Sequence, residues 1–193
     1  MRNFFKRYVR LPVILLALSF ATSAAYAFPV TVLDDTFEAG SLEAWTVSGP
    51  AEEENGALVL DVDSASNTNA SAILQDGNVS DFTMEAQFQV EEWFSDSWLP
   101  FIGFYLKYTD VNNCYWVKFG PQEGGAYEVS LRKAQGTWQG VELASAIIER
   151  PAAGGSHTVR IEAQDNTISV YLDDTGLLTY TDAGQPLVNG EVG

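Results

Sequence analysis

An alternation of apolar and polar residues runs through the second half of the chain and limits its fold more than any other feature. Every second residue from Phe82 to Val90 is apolar, and the same period returns in three later runs, at 102–108, 115–119 and 127–131. Successive side chains of a β-strand point to opposite faces of a sheet, so this period predicts strands with one buried face. Short polar turns separate the runs. We therefore predict a meander of four consecutive strands.

The rest of the chain continues in the same manner. Two further alternating runs, His157–Ala163 and Thr167–Leu172, flank a three-residue turn and predict a hairpin. Shorter apolar runs predict five more strands, at 33–37, 45–47, 57–62, 72–74 and 177–180. No segment keeps a helical period over several turns. The expected fold is all-β, with about ten to twelve strands and hardly any helix.

The first residues predict the compartment. Four basic residues precede a short apolar run, Leu11–Phe20, and the small residues after it end in an Ala-x-Ala cleavage site at 25–27. The run is too short to span a membrane. We predict a signal peptide over 1–27 and a single domain over 28–193, exported to the periplasm or the extracellular space and not inserted in a membrane after cleavage.

Charge and rare residues exclude several classes of function. The net charge is −16, and it becomes about −20 once the basic leader is removed, so nucleic acid and anionic membranes are poor partners. The chain has one cysteine, Cys114, and one histidine, His157, which rules out an intramolecular disulfide and a multi-histidine metal site. His157 opens a predicted strand, where we expect a structural role. No serine nucleophile elbow, phosphate-binding glycine loop or paired-cysteine zinc motif is present.

Several segments, in this order, resemble a known fold. They are 103–119 (Gly-Phe-Tyr-Leu-Lys-Tyr through Tyr-Trp-Val-Lys-Phe), 127–133 (Tyr-Glu-Val-Ser-Leu-Arg-Lys), 157–163, 168–173 and the opening segment 34–38 with Trp45. Together they resemble the laminin-G-like and glycoside-hydrolase-family-16-like modules of the concanavalin A-like lectin/glucanase fold. The resemblance implies an antiparallel two-sheet jelly-roll sandwich with one concave sheet.

The resemblance also implies features at the two ends of the domain. A structural Ca²⁺ between the first and last strands would use Asp35 and Glu38 as ligands, whereas the plain alternative is an acidic strand end. In such modules one more strand follows a Gly-x-Val-Gly turn and pairs beside the first strand. Here that turn is Gly190–Gly193, so we expect the last strand to be missing and 33–37 to have an unpaired side.

The same resemblance argues against hydrolysis. The family's hydrolases carry a strand with acidic residues at alternating positions, which places nucleophile and acid/base on one face. In the corresponding strand here Glu85 stands alone, followed by Gln87 and Gln89. A glutamine can hydrogen-bond a sugar but cannot transfer a proton, so we predict no catalytic residue at this site. A hydrolase using Glu85 with a second acid, Glu128 or Asp96, remains the rival.

An outward-facing aromatic and amide cluster predicts a sugar-binding surface instead. The alternation places Trp116 on the face of its strand opposite to that of its apolar neighbours. Aromatic rings stack on the C–H faces of sugars, and polar groups hydrogen-bond the hydroxyls. If its neighbours share its sheet, the face collects Glu85, Gln87, Tyr105, Lys107, Trp116, Glu128 and Arg132. The alternative is a Trp116 covered by a loop.

Three other tryptophans have less definite predictions. Trp98 lies in the aromatic segment 92–100, which fits either a ligand rim or a hydrophobic plug. Trp45 and Trp138 are expected to pack in the core or in turns. The leading interpretation of the whole chain is a non-catalytic, secreted carbohydrate-binding module with an oligo- or polysaccharide partner. A glycan-cleaving enzyme and an adhesion or protein-interaction domain are the alternatives.

Overall fold

The computed structural model describes residues 8–18, 30–37, 41–61, 70–90, 101–122 and 126–193. These residues form strands and one four-residue 3-10 helix, Ser41–Ala44, so the predicted all-β fold is confirmed. The strands are β1 Tyr8–Leu18, β2 Val30–Asp35, β3 Trp45–Ser48, β4 Ala51–Glu53, β5 Leu58–Asp61, β6 Ser71–Leu74, β7 Phe82–Val90, β8 Ile102–Asp110, β9 Asn113–Pro121, β10 Tyr127–Gln135, β11 Val141–Ile148, β12 Ser156–Gln164, β13 Thr167–Leu172 and β14 Thr175–Thr181. No helix in this part of the chain is long and apolar enough to cross a membrane.

The strands form two main antiparallel sheets and a two-stranded sheet, β3-β6. The larger sheet has the order β14-β13-β12-β7-β1-β5-β4, with β2 also paired to β1. The smaller sheet has the order β11-β10-β9-β8. Residues 190–193 extend it, because their backbone bonds to Tyr105 and Tyr108 of β8 on one side and to Leu74 and Val79 on the other.

The core lies between the inner faces of the two sheets. The apolar alternate residues of β7 are all buried, and so are those that face them from β8, β9 and β10. The ring of Phe88 lies 6.4 Å from that of Phe104 and 6.2 Å from that of Phe119, centroid to centroid, which joins the two sheets. Alternation therefore identified the core-facing residues of β7, β9 and β10 correctly, and in β8 it did so for Phe104 and Leu106. Each buried phenylalanine contributes about 1.5–3 kcal/mol of transfer free energy.

The predicted meander is wrong at its first link. β8, β9 and β10 are neighbours, but β7 belongs to the other sheet, where it pairs with β12 and β1. The chain therefore passes from one sheet to the other between Val90 and Ile102. Period-two alternation reports which side of a strand is buried, and it does not report which sheet the strand joins.

The N-terminal segment takes a place in the larger sheet. β1, which falls inside the predicted signal peptide, pairs with β7 along one edge and with β5 and β2 along the other. Among the described residues β2 has β1 as its one recorded strand partner. The predicted cleavage of the leader would thus remove a strand from between β7 and β2.

Candidate functional site

The site is built on the outer face of the smaller sheet, here called the Trp116 face. The strand register places four outward side chains in one row across β8 to β11: Tyr105, Trp116, Arg132 and Glu142. The next row begins with Gly103 and continues with Lys118 and Ser130. These positions alternate with buried core residues, which is why they point away from the sandwich.

Trp116 is held between an aromatic ring and a cation. The ring of Phe101 lies 5.6 Å from the indole ring, and the guanidinium carbon of Arg132 lies 5.6 Å from the indole centroid. The Nζ of Lys118 in turn lies 5.4 Å from the centroid of Phe101. Such cation–π contacts orient the aromatic groups as well as stabilising them. The indole ring is therefore fixed before any ligand arrives.

Phe101 keeps its position because a glycine lies opposite it. A Cβ built on Gly120 would come within 2.9 Å of the Cβ of Phe101, closer than side-chain carbons approach. The phenyl ring therefore rests against the sheet, yet 45% of the residue stays exposed. It forms one wall of the site. Sequence reasoning missed Phe101, although it shares the parity of Gly103 and Tyr105.

Two buried polar atoms on this face have no hydrogen-bond partner. They are the Nε1 of Trp116 and the Oγ of Ser130, which belong to neighbouring rows of the sheet. An indole N–H can only donate, and a buried donor left unpaired costs about 1–3 kcal/mol. Buried polar groups are nearly always paired in folded proteins. The Trp116 face therefore carries two unsatisfied buried groups in neighbouring rows of the sheet.

The surroundings of Glu128 and Lys118 on this face shift the pKa values of both groups. Glu128 is only 5% exposed, and burial raises the pKa of its carboxyl, although a hydrogen bond donated by Gln122 opposes the shift. Burial lowers the pKa of Lys118, and the nearby Glu128 opposes that shift. Arg132 forms an exposed ion pair with Glu142, with a nitrogen to oxygen distance of 3.3 Å.

Two predicted site residues lie on the opposite side of the molecule. Glu85 and Gln87 are on β7, on the outer face of the larger sheet. In the strand register Glu85 lies opposite Arg160 of β12. We predicted that they lie beside Trp116 if their strand belongs to the same sheet. β7 belongs to the other sheet, so that prediction is wrong. Packed sheets lie about 10 Å apart and these side chains point away from each other, so Glu85 and Glu128 cannot form a catalytic pair.

Lys107 was also assigned wrongly to this face. The β8–β9 register shifts between Leu106 and Asp110, and Lys107 has a left-handed backbone with a φ of 48°. This bulge turns the side chain inward, so Lys107 is 2% exposed and its Nζ donates to the carbonyl of Asp165 at 2.9 Å. Burial lowers the pKa of Lys107. Bulges reverse the parity of the residues around them, and the sequence does not mark this one.

The predicted calcium ligands are only partly described. Asp35 is buried, and its two carboxylate oxygens accept hydrogen bonds from the backbone N–H of Phe37 at 2.8 Å and from the Nε1 of Trp45 at 2.7 Å. These bonds use Asp35 to close a turn and hold a core tryptophan, and its assignment as a Ca²⁺ ligand stays a prediction. Glu38 and Trp98 lie outside the described residues. No cluster of three or more His, Cys, Asp or Glu occurs in the described part of the chain.

His157 makes structural contacts. Its Nδ1 lies 2.8 Å from a carboxylate oxygen of Asp173, whose other oxygen accepts from the backbone N–H of Thr158 at 2.8 Å. Its ring packs against that of Phe88, at 5.8 Å between centroids. The histidine thus joins the β13–β14 turn to the start of β12, in agreement with the role expected for it.

Comparison with solved structures finds proteins that share the fold of this chain, and two of them are described here. The carbohydrate-binding module CBM66 from Bacillus subtilis is 15% identical, with 78% of this chain and 85% of that chain covered and a TM-score of 0.56. The carbohydrate recognition domain of Emp47p is 17% identical, with 95% and 85% covered and a TM-score of 0.59.

Among curated proteins no sequence matches the chain. Residues 33–191, which are most of the sequence, match the family described as the 3-keto-alpha-glucoside-1,2-lyase-like domain. This match covers all of the Trp116 face. The chain therefore belongs to the family of 3-keto-alpha-glucoside-1,2-lyase-like domains.

Proposed function

We propose that this domain is an exported, non-catalytic module that binds a saccharide on the Trp116 face. The observation that carries the proposal is the buried Nε1–H of Trp116, which lacks an acceptor among the described residues although its ring is held in place by Phe101 and Arg132. A sugar seated beside Phe101 can bring a hydroxyl oxygen to this donor when the groups that cover the N–H move aside. The export part of the proposal rests on the basic, apolar and Ala-x-Ala pattern of residues 1–27.

The chemistry of the face suits a sugar better than other ligands. The exposed ring of Phe101, supported from below by the ring of Trp116, provides surface for the C–H face of a pyranose or furanose ring. The part-exposed guanidinium of Arg132 provides donors, and the unpartnered hydroxyl of Ser130 becomes available once the side chains that cover it move aside. The family is named for α-glucosides, and both similar structures are named for carbohydrate binding, which supports the same ligand class.

The test is an alanine substitution at Trp116 with a matched control on the other sheet. Trp116→Ala should weaken saccharide binding by about 1–3 kcal/mol, borrowing the magnitude known for base stacking on aromatic side chains. Tyr171 is the control, because it too lies beneath an arginine, with the Cζ of Arg160 3.8 Å from its ring centroid. Tyr171→Ala should leave binding unchanged.

The measurement is a glycan array with α-glucans, β-glucans and fructans, followed by calorimetric titration of the glycans that bind. Circular dichroism of both variants verifies that they fold. If folded wild-type protein binds no glycan, or if Tyr171→Ala lowers the affinity as much as Trp116→Ala, the proposed site is wrong.

A second candidate function is the elimination reaction for which the family is named, and Glu128 favours it. A ketone at C3 of a glucoside acidifies the C2 proton. A base that removes this proton allows the C1–O bond to break, and the departing oxygen takes up a proton. Glu128, with its raised pKa, lies on the Trp116 face and could act as that base. Its burial and its bond to Gln122 argue against this role, because they keep the carboxylate from the substrate.

Methyl 3-keto-α-glucoside distinguishes the two functions. We expect the protein to release no methanol from it and no reducing sugar from glucans. Steady release of methanol that Glu128→Gln abolishes would establish the lyase activity and replace the non-catalytic proposal.

A further inference from the structure

A second tryptophan lies exposed beside the Trp116 face. Trp138 is in the turn between β10 and β11, and 67% of its surface is exposed. It does not pack into the core or its own turn as the sequence analysis expected. Val141, three residues on, is 68% exposed and extends the apolar surface. Single exposed apolar residues are common, whereas two that lie as near in sequence as Trp138 and Val141 make a candidate binding surface.

The turn that carries Trp138 has a backbone conformation held by hydrogen bonds and by two glycines. The backbone N–H of Gly136 donates to the carbonyl of Asn112 at 2.8 Å, and Gly136 has a φ of 81°. Gly140 has a φ of 61°, and a Cβ there would lie 2.8 Å from the carbonyl oxygen of Lys133. Two glycines with left-handed backbones therefore fix the shape of the turn, and no side chain replaces Gly140 without a clash. The indole is presented by a defined backbone.

Arg132 connects this turn to Trp116. Its Nε donates to the carbonyl of Gln139 and its Nη2 to the carbonyl of Gly140, both at 3.3 Å, while the same guanidinium lies over the Trp116 ring. The turn is thus folded toward the Trp116 face. Trp116 is on β9 and the turn joins β10 to β11, so the two aromatic residues are separated laterally by one to two strand spacings, about 5–10 Å.

We propose that Trp138 is a second stacking surface for the same ligand, and that the ligand is an oligosaccharide chain lying across β9, β10 and β11 rather than a single sugar. The inference rests on the proposed function, since it extends the Trp116 site. Arg132, held between the two tryptophans, contacts the chain midway. A monosaccharide can contact only one of the two rings, so affinity should rise with chain length until both are covered.

The test compares chain lengths in three variants. Malto-, cello- and fructo-oligosaccharides of one to six units are titrated against the wild type, Trp116→Ala, Trp138→Ala and Val188→Ala. Val188 is the control, because it is 71% exposed and lies in a different segment of the surface. In the series that binds, the hexamer should bind the wild type about tenfold more tightly than the shortest ligand. Trp138→Ala should remove that gain and leave the affinity for the shortest ligand unchanged.

The outcomes separate the two proposals. Trp116→Ala should weaken the binding of every length, and Val188→Ala should weaken none. Affinity that is the same at all lengths, or a Trp138→Ala variant that still binds the hexamer as the wild type does, would overturn the chain-length inference and leave the Trp116 site standing. If none of the three series and no glycan on the array binds the wild type, the proposed function itself fails.

Discussion

The outer faces of the two sheets carry the same pair of groups, an aromatic ring beneath an arginine, and differ in what surrounds it. On the larger sheet the guanidinium of Arg160 lies over Tyr171, Arg160 is paired with Glu162, and the Tyr171 hydroxyl donates to Glu162 at 3.2 Å. On the smaller sheet the guanidinium of Arg132 lies over Trp116, whose Nε1 has no partner.

The difference continues in the hydroxyl groups. On the larger sheet Ser169 and Thr179 are hydrogen-bonded to each other at 3.0 Å. On the Trp116 face the hydroxyl of Ser130 is buried without a partner. A face whose polar groups satisfy each other has little to offer a ligand, because any new bond replaces an existing one. The open hydrogen-bonding positions are therefore the difference that leads us to propose the Trp116 face, and not the face of the larger sheet, as the binding surface.

The largest expected effect concerns how the two sheets are assembled. The strands of the smaller sheet, β8 to β11, follow one another in sequence, whereas β7 in the larger sheet depends on β1, from the predicted leader. Removal of residues 1–27 should expose the β7 edge and cause oligomers or aggregates, as open strand edges do. Size-exclusion chromatography of the chain beginning at Phe28 measures this, with Ala27→Leu as a control designed to block cleavage.

Hydrogen exchange gives this prediction an internal control. Successive amides of an antiparallel strand point to opposite neighbours, so about half of the β7 amides face β1 and half face β12. After the leader is removed, those facing β1 should exchange about tenfold faster or more, while those facing β12 and all of β9 keep their protection. A monomeric cleaved chain with uniformly protected β7 amides would contradict the prediction.

The two faces should also differ, by a smaller amount, in how a serine hydroxyl on each affects the free energy of unfolding. Ser130→Ala removes an unpartnered buried group, so it should raise the free energy of unfolding by about 1 kcal/mol. Ser169→Ala removes a hydroxyl that is bonded to Thr179 and should lower it by about 0.5–1 kcal/mol. Urea unfolding of both variants measures the signs, and calorimetry should show weaker saccharide binding for Ser130→Ala alone. If both substitutions change the free energy of unfolding in the same direction, the proposed distinction between the faces is wrong.

The sequence predicted the strands better than it predicted the site. Alternation identified β7, β9, β10, β12 and β13, because each has one face in the core. It missed β11, an edge strand in which several apolar residues are exposed, so no clean alternation appears. Assignment of β7 to the wrong sheet then placed Glu85 and Gln87 beside Trp116. Sheet membership depends on which non-local pairings bury most surface, and local patterns do not contain that information.

Within the site, single residues show the same limit. Trp116 and Arg132 were predicted correctly as neighbours, because their strands are consecutive and in regular register. Lys107 was not, because a bulge that the residue types do not reveal turned it inward. The unpartnered state of Trp116 and Ser130 depends on three-dimensional packing and could not be predicted.

The smallest expected effect is a change of stability with pH at Glu128. Burial raises the pKa of this carboxyl above its ordinary value of 4.5, so the folded protein holds the proton more tightly than the unfolded chain does. The stability that protonation provides is fully present below the unfolded pKa and is lost as pH rises through the higher folded pKa. Glu128→Gln keeps the shape without the charge, so it should raise the melting temperature at pH 7 by about 1–3 °C, as expected for less than 1 kcal/mol in a chain of this size.

The gain should disappear at pH 4, where both proteins are neutral at this position. Thermal unfolding between pH 4 and pH 7 measures it, and Glu142→Gln serves as the control because Glu142 is exposed and paired with Arg132. That variant should show no gain, since exposed ion pairs contribute about 1 kcal/mol or less. If Glu128→Gln lowers the melting temperature at pH 7, the carboxylate is stabilised as an anion by Lys118. Glu128 would then stabilise the fold, as the paired polar groups of the larger sheet do. A rise at pH 7 alone would show that burial makes the charge of Glu128 unfavourable to the folded state.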